Sequence, residues 1–186
     1  MHIQAKQMNQ YPWYLRIFYS RQKRKLGQVL NPGLLWGRMP RLEVLFLLFW
    51  GFLDRKRSPI DPALRALVQV YVAKLNWCQF CIDLNSHNFF QRSHSMEKIE
   101  ALDHWRESLI YSEREVTLLE YVEILCSPRI KVTPELMAAL KAHFDDDQIV
   151  ELTALIAFQN MSAKFNAGLD IPSQGLCQIE TSDKRG

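Results

Sequence analysis

The sequence predicts an all-α protein. Apolar residues recur every three or four positions along several segments, and no run of any length alternates apolar with polar. Glycine and proline number only 7 and 8 in 186 residues, few for a chain of many tight β-turns. Hydrophobic residues make up 48%, a globular composition with the length for one domain and a sizeable core. Roughly seven or eight helices are expected from this length.

Residues 1–10 are polar and expected to be loose. Pro12 opens an amphipathic stretch in which Trp13, Tyr14, Ile17 and Phe18 interleave with Arg16, running into the basic Arg21 to Lys25. Such a helix can lie on a membrane surface. The reading adopted is a helix that packs its aromatic face on the core and leaves its basic end in water. Asn31-Pro32-Gly33 reads as a turn, and Pro40 as the stop of whatever Leu34 begins. A helix follows from about Leu42 to Leu53. Its apolar run, Val44 to Leu53, is about half the ~20 residues that a membrane span needs, so it is expected as a buried core helix. No membrane span is expected.

Asp61-Pro62 is a helix start: an N-cap acceptor, then proline at the first helical position. The helix from Ala63 to Leu75 carries Leu64, Leu67, Val68, Tyr71 and Leu75 on its apolar side. Asn76-Trp77 should break or kink it, and a new helix should run from Cys78 to about Phe90. Ser95 to Leu102 is a short helical pattern. Ser112 and Glu115 fit a capping box, opening a helix that Ser127-Pro128 ends. Thr133-Pro134 starts another, to His143 or Phe144. Asp145 and Gln148 form a second capping signature, and the long helix behind it is expected to end on Gly168 as its cap. The chain thus divides into residues 1–10, one helical domain over 11–171, and a flexible tail from 172 to 186.

Net charge is +3 and the pI about 8.7, too small a bias to imply nucleic acid. The first residues hold no apolar run followed by a small-residue cleavage site, so a cytoplasmic protein is expected. Stable disulfides are uncommon in that compartment. Of the four cysteines, Cys126 is expected to be buried and Cys177 to lie in the loose tail. Cys78 and Cys81 stand three apart where a helix begins. In a regular turn their Cβ atoms would lie ~5–6 Å apart, beyond the ~3.5–4.5 Å of a disulfide. A loosened first turn, supplied by Asn76-Trp77, can close that gap. The positive end of the helix also lowers a thiol pKa, which favours Cys78. A redox dithiol is the reading adopted. Two structural cysteines packed in the core are the competing one. A zinc site would need two more ligands at matching spacing, and His87, His94, His104 and His143 offer no such pair. No metal and no cofactor are expected.

The stretch Leu64-Arg65-Ala66-Leu67-Val68, then Val72 through Asp83 with its CxxC, resembles the carboxymuconolactone decarboxylase family, and within it the alkylhydroperoxidase-D-like branch. Gln148 through Ala157, with Asn160, Phe165 and Asn166, is similar to that family's closing helix. The resemblance covers roughly residues 55–170. It implies an alkylhydroperoxidase-D-like helical bundle with extra N-terminal helices, assembled into homo-oligomers. The activity it implies is that of a thiol-dependent hydroperoxide reductase. Its partners would be a small hydroperoxide and a thiol or dithiol reductant. By the same resemblance Cys81 attacks the peroxide and Cys78 resolves the sulfenic acid, which disagrees with the dipole argument.

The chain departs from that branch at two positions. A Glu twelve before the first cysteine and a His four after the second are here Ala66 and Asn85. Neither relays a proton. Asn85 lies about 40° round the helix from Cys81 and could donate a hydrogen bond to a thiolate. Asp83 and His87 are supporting candidates near in sequence, but lie about 160° and 120° off that face. Glu151 or Tyr71 could approach from other helices. Two alternatives stand beside the reductase: a non-catalytic or redox-responsive oligomeric binding protein of the same fold, and a non-redox lactone decarboxylase.

Overall fold

The computed structural model describes residues 1–129 and 131–177; residues 178–186 of the expected tail lie outside them. Nine α-helices and two 3-10 turns are present among the described residues, with no strand. They are α1 (Trp13–Leu26), α2 (Asn31–Trp36), α3 (Pro40–Leu53), α4 (Pro62–Leu75), α5 (Gln79–Ser93), α6 (Glu97–Glu100), α7 (Glu113–Cys126), α8 (Pro134–Lys141) and α9 (Asp146–Gly168).

Side-chain caps set most of these starts. Asp61 accepts the Leu64 N–H, and Ser112 and Asp145 form capping boxes with Glu115 and Gln148. Thr133 accepts the Leu136 N–H ahead of α8. Two stops differ from expectation. Asn31-Pro32-Gly33 is not a turn but the first turn of α2, where proline near the N-terminus lacks only a donor the helix does not use. Gly168 is the last residue of α9 rather than its left-handed cap; the positive φ, 52°, falls on Asp170.

α4 is the axis of the molecule. Every residue from Leu64 to Ala73 is buried, and α5, α7 and α9 pack around it. Arg65, on this buried helix, donates to the Leu53 and Arg55 carbonyls at 2.7 and 3.1 Å. Those contacts tie α4 to the end of α3.

The N-terminal helices form a second layer, and two expectations fail there. On α1 only Leu15 and Tyr19 are buried, while Trp13, Tyr14 and Ile17 face solvent. On α3, read from its composition as a core helix, only Glu43 and Leu53 are buried; Leu45, Leu48 and Phe52 are each more than 60% exposed. Trp36 stacks between Phe46 and Phe165, which fastens this layer to α9. Tyr19 donates to the Gly33 carbonyl at 2.8 Å. Its hydroxyl would collide with a Cβ at Gly37, so that close approach requires glycine. Glu43 lies against Gly33 with one carboxylate oxygen unpartnered, and burial pushes its pKa up to about 8.

Candidate functional site

α4 ends in a corner built by two asparagines. Asn76 caps the helix, donating to the Val72 carbonyl at 2.9 Å and to the Asn160 side-chain oxygen at 2.8 Å. Trp77 then takes a left-handed backbone, φ 55°, and stands 83% exposed. That reversal leaves Cys78 outside the helix as the N-cap of α5, with φ −87° and ψ 93°. The Cys78 sulfur accepts the Cys81 N–H at 3.2 Å, satisfying one of the free donors of the first turn. Cys78 and Cys81 are joined as a disulfide, their Cα atoms 5.2 Å apart. The irregular start that the sequence placed at Asn76-Trp77 is what brings them together.

Both sulfurs are buried: Cys78 is 1% and Cys81 3% exposed. They share an apolar cluster with Leu35 of α2, Ala73 of α4, Ala163 of α9 and Ile171. The segment after α9 closes this cluster, with Leu169 and Leu176 packed against it.

Asp83 holds that segment down. Its carboxylate accepts from the Ser173 hydroxyl and from the backbone N–H groups of Gln174, Leu176 and Cys177, at 2.7–3.0 Å. Burial alone would raise its pKa, but these donors outweigh it, Cys177 foremost, and hold the carboxyl below its ordinary range. Gln174 bonds in turn to Gln28, Val29 and Asn31, tying the segment to the α1–α2 connection. Residues 172–177 are therefore fastened on both sides, where a flexible tail was expected. Cys177 is half-buried, and its thiol is pushed up by burial and then by the Asp83 carboxylate.

The other candidates among the described residues make no hydrogen bond to the paired sulfurs. Among the described residues Asn85 is buried without a side-chain hydrogen bond to either sulfur, and His87 is half-buried. Ala66 is fully buried. Glu151 is taken by Arg55 and Ser58, and the Tyr71 hydroxyl by the Trp105 ring N–H at 2.8 Å. Cys126 accepts from Asn160 at 3.2 Å, so that asparagine joins it to the Asn76 corner. Burial pushes the Cys126 thiol up. Beside the corner runs a groove of about 570 Å³, lined by Trp77, Gln79, Ile82, Lys74 and Arg106 among others.

The amide that does reach the Cys78–Cys81 pair is Asn166 of α9. Its Nδ2 donates to the Cys81 Sγ at 3.2 Å, and the residue is 2% exposed. The signal that could have found it is the stripe Gln159, Ser162 and Asn166, three polar residues at helical spacing, all buried.

No family model matches the chain. It is 42% identical to the uncharacterized protein YnjA of Escherichia coli (strain K12) over 172 residues, 92% of this chain and 94% of that one. Among solved structures it is similar to an alkylhydroperoxidase AhpD core, an uncharacterized peroxidase-related protein of Ralstonia eutropha JMP134. The TM-score is 0.84 at 17% identity, covering 94% of this chain and 93% of that one. It is also similar to the debrominase Bmp8, with a TM-score of 0.79 at 20% identity, covering 92% and 91%. An AhpD-like helical fold and a near full-length likeness at 42% place the chain in the family of Escherichia coli YnjA.

Proposed function

We propose that the chain is a thiol-dependent hydroperoxide reductase that cycles Cys78 and Cys81 between dithiol and disulfide. The observation that carries this reading is the pair itself, joined across an irregular helix start on an AhpD-like scaffold. In the cycle, the Cys81 thiolate attacks the outer oxygen of a hydroperoxide. The O–O bond breaks, an alcohol leaves, and Cys81 becomes a sulfenic acid. Cys78 then attacks that sulfur, the S–O bond breaks, and water leaves. The two thiol protons end on the alcohol and the water. A thiol or dithiol reductant restores the pair by exchange. Assigning the attack to Cys81 follows the resemblance. With Ala66 and Asn85 at the relay positions, general acid–base help of about 10²–10⁴-fold is forgone there, so turnover should be slow. Homo-oligomers are part of the same reading, with the exposed apolar side of α3 as the surface that a second copy would cover.

The test is hydroperoxide consumption with dithiothreitol as reductant, comparing wild type with Cys81→Ser. Loss of at least a hundredfold in the variant is expected; equal rates would remove Cys81 from the chemistry. The burial of both sulfurs favours a second reading, a redox-responsive disulfide protein of the same fold without peroxide turnover. Reversible oxidation of the pair with no consumption of hydroperoxide would select it. A Bmp8 variant was solved with 2,3,4-tribromopyrrole, so that compound belongs in the assay as a further candidate substrate.

A further inference from the structure

We infer that Asn166 is the residue that sets the charge state of Cys81 in the reduced protein, stabilising its thiolate by a donated hydrogen bond rather than by removing its proton. The inference deepens the proposed reductase and rests on its redox pair. Three observations carry it. Asn166 reaches the pair from α9, 85 positions away, with its Nδ2 at 3.2 Å from the Cys81 Sγ. The contact is dry, since Asn166 is 2% and Cys81 3% exposed. The Oδ1 of the same amide is buried without a partner.

A disulfide sulfur has no hydrogen to give, so the amide can satisfy it only as a donor. It does so while stranding its own oxygen, a cost usually avoided in a core. A thiolate at the same place is a far better acceptor than a disulfide sulfur, because a hydrogen bond to a charged group is roughly twice as strong as a neutral one. The amide therefore sits in the orientation that the reduced, ionised Cys81 needs. Low dielectric enlarges the effect, and the surrounding Leu35, Ala163 and Ile171 supply no competing donor. Cys78 has a different stabiliser, the backbone N–H of Cys81 at the helix start. Each sulfur thus keeps one donor after reduction, and only that of Cys81 can be removed by a side-chain substitution.

The experiment uses the full chain carrying Cys78→Ser, which leaves Cys81 unable to form the internal disulfide and keeps a good N-cap on α5. The pKa of Cys81 is read from the pH dependence of its Cβ chemical shift in the carbon NMR spectrum, which needs no reagent to reach the buried sulfur. Asn166→Leu, of similar size and without a donor, is expected to lower the thiolate fraction at neutral pH by about ten- to a hundredfold. Thermal unfolding should change little or rise, because a stranded buried oxygen is also removed. A merely structural asparagine would show the reverse: a lower Tm and an unmoved titration, which would overturn the inference. Asn166→Ala serves where the leucine does not fold; there the titration alone decides, because the cavity that alanine leaves lowers the Tm in either case. A third readout needs no change at Asn166: its side-chain amide protons must shift in the NMR spectrum as Cys81 titrates, and a flat pair would overturn the inference. Hydroperoxide consumption by the wild-type chain is followed separately. A shifted titration without turnover sinks the reductase and leaves the role of Asn166 standing.

Discussion

Two apolar surfaces of this molecule are treated in opposite ways. Around the disulfide, the chain covers the surface with its own backbone: Leu169, Ile171 and Leu176 close over Cys78 and Cys81, and Asp83 and Gln174 fasten the cover. On α3, the stripe of Leu45, Leu48 and Phe52 at helical spacing is left bare, while the helix's one carboxylate, Glu43, points inward. The disulfide surface is closed until something moves. The α3 surface is open from the start. An apolar composition says that a face wants covering; it does not say which chain supplies the cover.

The largest expected effect lies on the inner side of α3. Glu43 has a pKa raised by burial from 4.5 to about 8. A carboxyl whose folded value lies above its unfolded one keeps its full contribution below pH 4.5 and loses it as pH climbs through about 8. At about 1.4 kcal/mol per unit, a rise from 4.5 to about 8 corresponds to roughly 5 kcal/mol, lost in full once pH is above both values. Glu43→Gln should flatten the dependence and raise the Tm at pH 8 above that of wild type. Parallel Tm curves from pH 5 to pH 8 would mean that Glu43 is not buried as an acid, and the inside-out character of α3 would go with it.

The second test opens the covered surface. Asp83→Ala removes the acceptor of four donors from residues 173–177. Reduction of the disulfide by dithiothreitol, followed by alkylation and mass, should quicken about tenfold, the equivalent of ~1.4 kcal/mol in the opening of the cover. Because its hydrogen bonds lower the Asp83 pKa, its contribution to stability holds above its unfolded pKa and fades as pH falls through the folded one. The stability gap between wild type and variant should therefore shrink in acid. An unchanged reduction rate would show that access to the sulfurs does not run through this segment.

Much of the fold could be read locally. Asp61-Pro62, Ser112 with Glu115, and Asp145 with Gln148 place helix starts from neighbours within three residues, and all three stand. The Asn76-Trp77 break was legible for the same reason. What failed was burial, which depends on distant elements. α3 and α4 are each 14 residues long and open on proline, yet ten residues of α4 are buried and two of α3. α4 is surrounded by α5, α7 and α9, whereas α3 meets α2 and α9 on one side only. Asp83 read as a polar position off the sulfur face because its partners lie 90 to 94 positions on. Asn166, 85 positions from its sulfur, was visible as part of a helix but not as a contact.

The smallest expected effect on the fold is the most informative about the bare surface. Leu48 is 66% exposed, so Leu48→Glu should leave helicity and the unfolding free energy of the separated chain within about 0.5 kcal/mol. The consequence should appear in assembly. A carboxylate placed mid-stripe cannot be desolvated without a partner, so a homo-oligomer packed on Leu45, Leu48 and Phe52 should fall to a smaller species. Light scattering on eluted peaks of both chains measures this directly. A drop in mass with unchanged circular dichroism assigns the stripe to a second copy. Equal masses, whether both large or both monomeric, would leave α3 uncovered in solution, and the two surfaces would then differ in exposure alone rather than in what covers them.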